Sequence, residues 1–130
     1  MGREENEQVL RKLHKDFTGG DLEAALSNFR DDAVWRAAGA SPVSGEFKGK
    51  QSIRAMMEQA MERSGGTFNP EMHDIVASDD HVVFLGRAKG QREGRTMDEE
   101  IAVVFHVQGG KITEVWEQGF DQRAIDAFWS

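Results

Sequence analysis

Cysteine is absent from this sequence of 130 residues, which excludes disulfides, thiolate metal sites and cysteine nucleophiles together. Tyrosine is absent as well, and proline occurs only 2 times. No apolar run approaches the roughly 20 residues needed to span a bilayer. The charged N-terminal stretch from Met1 to Asn6 carries no secretory apolar region, so the cytoplasm is the expected location. Basic residues are scattered: 16 Lys and Arg stand against 23 Asp and Glu, for a formal charge of −7. Phosphate backbones and anionic membrane surfaces both require clustered Lys and Arg. Neither nucleic acid nor membrane is an expected partner.

Cofactor and metal signatures are missing too. No two of the 4 histidines have His-x-x-x-His spacing, so no metal site is expected. A serine nucleophile on an elbow needs Gly-x-Ser-x-Gly, and a nucleotide needs a glycine loop ahead of a helix. The sequence offers neither, and no cofactor is expected.

What is present is an ordinary globular composition, 38% hydrophobic and 30% charged. It is enough for one self-sufficient domain, residues 1–130, with no linker or repeat to divide it. Val9, Leu10, Leu13 and Phe17 form one helical stripe that Gly19-Gly20 stops. Asp21 caps a second helix whose stripe is Leu22, Ala25, Leu26 and Phe29. A third helix begins near Lys50, carries Ile53, Met56, Met57 and Ala60, and ends at Gly65-Gly66. Between the second and third, Ala33 to Ala37 reads as a strand, and Gly39 to Gly49 as a turn-rich loop around a short extended piece, Glu46 to Lys48.

After the third helix the apolar period changes to two. Met72–Ser78, Val82–Lys89, Thr96–Val107 and Ile112–Phe120 read as a meander, with turns at Asp79-Asp80, Gly90–Gly94 and Gln108–Gly110. A short helix with Ile125, Phe128 and Trp129 closes the chain. Helices largely segregated from a meandering sheet make this an α+β fold.

The longest strand is apolar on both faces. Ile101, Val103, Phe105 and Val107 can cover the domain's own core, leaving Ala102, Val104 and His106, with Trp116 on the next strand, for another cover. A homodimer through this outer sheet face is the expectation; a strand buried within the monomer is the alternative. On the preceding strand, Phe84, Gly86, Ala88 and Gly90 share one face whose bulk shrinks along its length. That pattern marks either a bend or the close approach of a ligand.

Gly20-Asp21-Leu22, the run Phe29 to Ala33, Ser44-Gly45 with Gly49, Gly109-Gly110-Lys111-Ile112, and the ending from Asp121-Gln122 to Phe128-Trp129 occur in a telling order. In that order and spacing the chain resembles the SnoaL-like and ketosteroid isomerase-like proteins of the nuclear transport factor 2-like superfamily. The resemblance covers nearly the whole chain. It implies a cone-shaped half-barrel, its curved sheet wrapped around the third helix, with an apolar pocket between them and dimers formed through the outer sheet. A ketosteroid isomerase needs a carboxylate base, a tyrosine and a protonated aspartic acid. The matching positions here are Ala37, Leu13 and Val103, so the resemblance implies no steroid isomerisation by that route. The limonene epoxide hydrolase relay of aspartate, arginine and aspartate, with arginine and aspartate two apart on a strand, is likewise read as missing.

The same alignment turns Trp35, Ala37, Phe84, Gly86, Ala88, Val103, Phe105 and Val115 toward the pocket, together with Glu117. A carboxylate in an apolar cavity is poorly solvated, which raises its pKa and suits it to general acid or base work near neutrality. The alternative pairs Glu117 with Arg36 or Arg87, or leaves it at a solvated strand end. Asp121 stands where SnoaL-like cyclases carry an acid–base aspartate, but as the residue before Gln122 it is read first as the cap of the last helix. His73 is the candidate partner acid or base, or else an edge-strand residue; His14 and His81 read as surface and turn positions. The expected ligand is a small, mostly apolar organic molecule, transformed by acid–base chemistry of the isomerase, cyclase, dehydratase or hydrolase type or only held; the remaining alternative is a dimeric interaction module whose pocket is vestigial.

Overall fold

Local side-chain chemistry fixes where most elements begin and end. The computed structural model describes residues 2–130. α1 (Arg3–Thr18) ends at Gly19 and Gly20, the latter at φ +80, a left-handed turn that glycine adopts without strain. Asp21 then caps α2 (Leu22–Leu26) by accepting from Ala24 N at 3.0 Å. The apolar stripe predicts a helix reaching Phe29, but α2 stops after five residues. The helix tightens into i→i−3 bonds at its end, Ser27 N to Ala24 O and Asn28 N to Ala25 O, and the Asn28 Nδ2 donates to the same two carbonyls at 3.2 and 3.0 Å. Phe29 instead opens β1 (Phe29–Ala37), four residues before the expected start. It is buried, a gain of roughly 2–3 kcal/mol for a ring of this size.

β2 (Gly45–Lys48) turns back on β1, and α3 (Lys50–Arg63) follows. Four strands then run in sequence: β3 (Asn69–Ala77), β4 (His81–Arg92), β5 (Arg95–Gln108) and β6 (Lys111–Gly119). α4 (Gln122–Trp129) comes last, its Asp121 cap accepting from Ala124 N at 3.2 Å. The strands form one sheet in the order β2-β1-β6-β5-β4-β3. β1 and β6 are parallel and every other pairing is antiparallel. The sheet is mixed, curved and unclosed. α1 lies against β3 and β4, α3 against β1 and β2, and α4 against β5 and β6. The result is the α+β cone expected from the sequence.

Besides the start of β1, two strand limits differ from the sequence reading by more than one residue. β3 starts earlier and includes Pro70, which is tolerated because β3 is an edge strand and loses no interior ladder bond. β4 runs straight through Gly90 to Arg92. Its turn is the pair Glu93-Gly94, at φ 49 and φ 79, the left-handed geometry of a two-residue hairpin. Gly90 lies within the strand beneath α4: a Cβ there would sit 3.4 Å from the Phe128 ring and 3.5 Å from the Phe68 backbone, ordinary contact distances.

Curvature has a local origin as well. β3 carries a bulge between Met72 and Asp74, opposite Gly86 of β4. A side chain at Gly86 would collide with the Glu71 carbonyl and the Phe84 ring. Gly86 therefore serves the bulge and lets Phe84 fold back over the strand. Of the two readings of this thinning face, the bend is the one the backbone shows.

Candidate functional site

The curved sheet and helices α1 and α3 surround a cavity of about 130 Å³ that the β1–β2 loop and α4 also line. Leu10 and Leu13 of α1 and Met56, Met57 and Ala60 of α3 form one wall. The opposing wall is inward-facing strand residues. Trp35, Ala37, Phe84, Ala88, Val103 and Phe105 all lie on it, as the sequence alignment expects. Gly86 and Val115 do not. Gly86 faces the β3 bulge, and Val115 is buried between its register partners Trp35 and Phe105. Those two rings meet edge to face with centroids 6.0 Å apart, and the wall they present to the cavity stands in front of Val115.

Glu117 stands within this apolar lining. Register pairs it with Ala37 of β1 on one side and Val103 of β5 on the other, neither able to compensate a charge. The Trp35 indole N–H donates to Oε1 at 3.2 Å. The alternative in which Arg36 or Arg87 neutralises it is not what the fold builds. Arg36 pairs with Glu114 and Glu46, and Arg87 with Asp98 and Glu100. No Lys, Arg or His forms a salt bridge with Glu117 among the described residues. Burial pushes its carboxyl above the usual range, and the Trp35 hydrogen bond opposes that only in part. The residue as a whole is half-buried. Chemically this is a carboxyl poised to hold or release a proton in an apolar setting.

The other two candidates are not brought to Glu117. Asp121 is exposed, and its side chain is committed to the α4 cap. His73 is exposed and is the unpaired residue of the β3 bulge; neither lines the cavity. Arg30 and Asp32 correct the expectation that the chain lacks an Arg-x-Asp spacing: Arg30-Asp31-Asp32 has it, on β1. The two side chains pair with each other at 2.6 Å, both at least half exposed, and neither reaches the cavity. No epoxide hydrolase-type relay is assembled. Among the described residues, no group of three or more His, Asp or Glu is placed to hold a metal ion. No helix there is long and apolar enough to cross a membrane.

His14, expected at the surface, lines the cavity. Its Nε2 lies 2.7 Å from the Pro70 carbonyl, and its ring rests on Phe84 with centroids 5.7 Å apart. The signal was available: His14 lies at i+4 from Leu10 and i−3 from Phe17, on the buried stripe itself. Also in the lining, Gln122 takes up Gly119 N at 2.8 Å and Asp126 at 3.0 Å, while Asp126 receives Ala40 N at 3.1 Å. α4 thereby ties down the β1–β2 loop, whose residues line the cavity.

Comparison with known proteins accords with this geometry. The model of the SnoaL-like domain family matches residues 10–115. The chain belongs to the SnoaL-like family. An uncharacterised protein of Mycobacterium tuberculosis is 26% identical over 123 residues, 94% of each chain. Bal32a, from a soil-derived mobile gene cassette, superposes with a TM-score of 0.95 at 29% identity, covering 98% of both chains. An NTF2-like protein of Burkholderia xenovorans gives a TM-score of 0.86 at 22% identity, covering 100% of this chain and 99% of that one. This SnoaL-like chain therefore has the nuclear transport factor 2-like fold that its sequence resembles.

Proposed function

We propose that this SnoaL-like protein takes a small, mostly apolar organic molecule into the cavity and transfers a proton through Glu117. One observation carries the reading: a carboxyl without a cationic partner is held inside an otherwise apolar wall. An unpaired buried carboxylate costs stability, and a fold keeps that cost where the group is used. With its proton held, Glu117 donates to a ligand carbonyl or hydroxyl; once ionised, it removes a proton from carbon or oxygen. Isomerisation, cyclisation, dehydration and hydrolysis all need that service. The cavity is not filled by the protein's own side chains, which supports a ligand-taking pocket over a vestigial one.

A second reading, a protein that holds its ligand unchanged, is favoured by Asp121 and His73 standing apart from Glu117. The test is Glu117→Gln, which keeps size and an acceptor for Trp35 but cannot exchange a proton. Turnover of a cavity ligand lost while its binding persists supports proton transfer. Unchanged turnover overturns it, and binding without turnover in either protein selects the second reading.

We also propose that two copies pair through the outer sheet face. Val76, Val83, Val104 and Trp116 are register partners in one row across four strands. Val76 and Trp116 remain 55% and 38% exposed. Arg36 stacks over Trp116 at 5.6 Å, and ion pairs to Glu114 and Glu46 continue that side of the patch. An apolar centre with a charged margin is the make-up of a protein interface.

A further inference from the structure

Resting on the pocket reading above, we infer that His14 is the second polar contact of the cavity. On this basis its ligand is a single-ring molecule with hydrogen-bonding groups at opposite ends, one met by Glu117 and the other by His14.

The chemistry of His14 follows from its partner. A backbone carbonyl only accepts, so the ring nitrogen 2.7 Å from the Pro70 oxygen must carry the hydrogen. In the neutral ring Nδ1 is then an acceptor, and it makes no hydrogen bond among the described residues. An acceptor at the cavity wall is matched by a ligand hydroxyl.

Register sets the separation of the two groups. Phe84, Val103 and Glu117 form one inward-facing row on the adjacent strands β4, β5 and β6. Two strand spacings of about 4.8 Å each put the ends of that row roughly 10 Å apart at the backbone. His14 lies over Phe84 at one end and Glu117 is the other, with the smaller Val103 as the floor between them. The total free volume suits a single ring. A cavity of about 130 Å³ is close to the roughly 150 Å³ that accommodates benzene in an apolar interior. Of the other polar residues in the lining, Ser41 and Ser44 bond to each other at 2.9 Å, Gln122 bonds to Gly119 and Asp126, and Gln118 pairs in register with Ala102 of the outer face. Two neighbouring hydroxyls reach one end of this row, and two opposed hydroxyls reach both.

The experiment titrates toluene, phenol, catechol and hydroquinone into the full chain under reducing conditions, followed by amide and imidazole NMR shifts. Hydroquinone is expected to bind about fivefold more tightly than phenol or catechol, the increment of one added hydrogen bond, and to move the His14 Nδ1 signal. His14→Phe is expected to bring hydroquinone down to the phenol level. If no ring, toluene included, shifts the cavity residues, the pocket reading itself fails and this inference with it. If toluene and phenol bind but hydroquinone gains nothing over catechol, or keeps its gain in His14→Phe, the pocket reading stands and this inference is overturned. Should His14→Phe not fold, the hydroquinone–catechol comparison and the Nδ1 shift in the unaltered protein decide.

Discussion

Trp35 and Glu117, 82 residues apart in sequence, are joined by an indole N–H to carboxylate hydrogen bond of 3.2 Å. The parallel pairing of β1 with β6 places Glu117 beside Ala37 and thus two residues along from Trp35. Among the described residues, the one side-chain donor to this carboxyl is a neutral one. It favours the charged form, while burial acts more strongly the other way. Trp35→Phe deletes that donor and keeps an aromatic ring against Phe105. The Glu117 carboxyl is then expected to titrate at higher pH than in the parent protein. Carbon-detected NMR of the glutamate carboxyl measures this directly, and an unchanged or lower midpoint refutes it.

The same carboxyl makes stability depend on pH. In the unfolded chain it ionises near 4.5, whereas in the fold burial raises that value. Between the two, the folded state binds more protons than the unfolded state, so stability falls as pH rises through that window and then levels off. Each tenfold difference in proton affinity corresponds to about 1.4 kcal/mol. Glu117→Gln has no proton to lose. Its melting temperature is expected to gain on the parent's as pH rises from 5 toward 8, and parallel curves for the two proteins rule the effect out.

How far the site could be read beforehand depended on which physical signal each residue carried. Strand alternation and family resemblance located Trp35, Phe84, Val103, Phe105 and Glu117, because a period of two ties each of them to one face. Val115 has the same period and was misplaced. Alternation gives the face, but not the two flanking rings that stand between that position and the cavity. His14 was missed because its polarity outweighed its place on the α1 stripe. Gly86 and Asn28 lay beyond pattern reading for another reason. A bulge on a neighbouring strand and a side chain turned back on its own helix leave no periodic trace.

Gly86 offers a test of the bulge. A methyl group there meets the Glu71 backbone and the Phe84 ring, and backbone cannot rotate aside. Gly86→Ala is expected to cost about 1–3 kcal/mol, the usual penalty for overpacking. The displaced Phe84 ring should also perturb the His14 signals. Chemical denaturation and NMR read the two effects, and a variant as stable as the parent with unmoved His14 resonances removes Gly86 from the account of curvature.

The outer sheet face yields the last expectation. Val104 sits in the row with Val83 and Trp116, its side chain directed away from the cavity that its neighbours Val103 and Phe105 line. In a two-fold interface each patch meets its own copy, so one substitution acts twice. Val104→Lys places two like charges in an apolar interface, where each pays desolvation without a partner. Sedimentation is expected to show the parent protein as a dimer at micromolar concentration and Val104→Lys as a monomer. Because the change faces outward, the cavity should still bind a small aromatic probe with unchanged affinity. A parent protein that sediments as a monomer at those concentrations leaves the Val76–Trp116 row without its proposed partner.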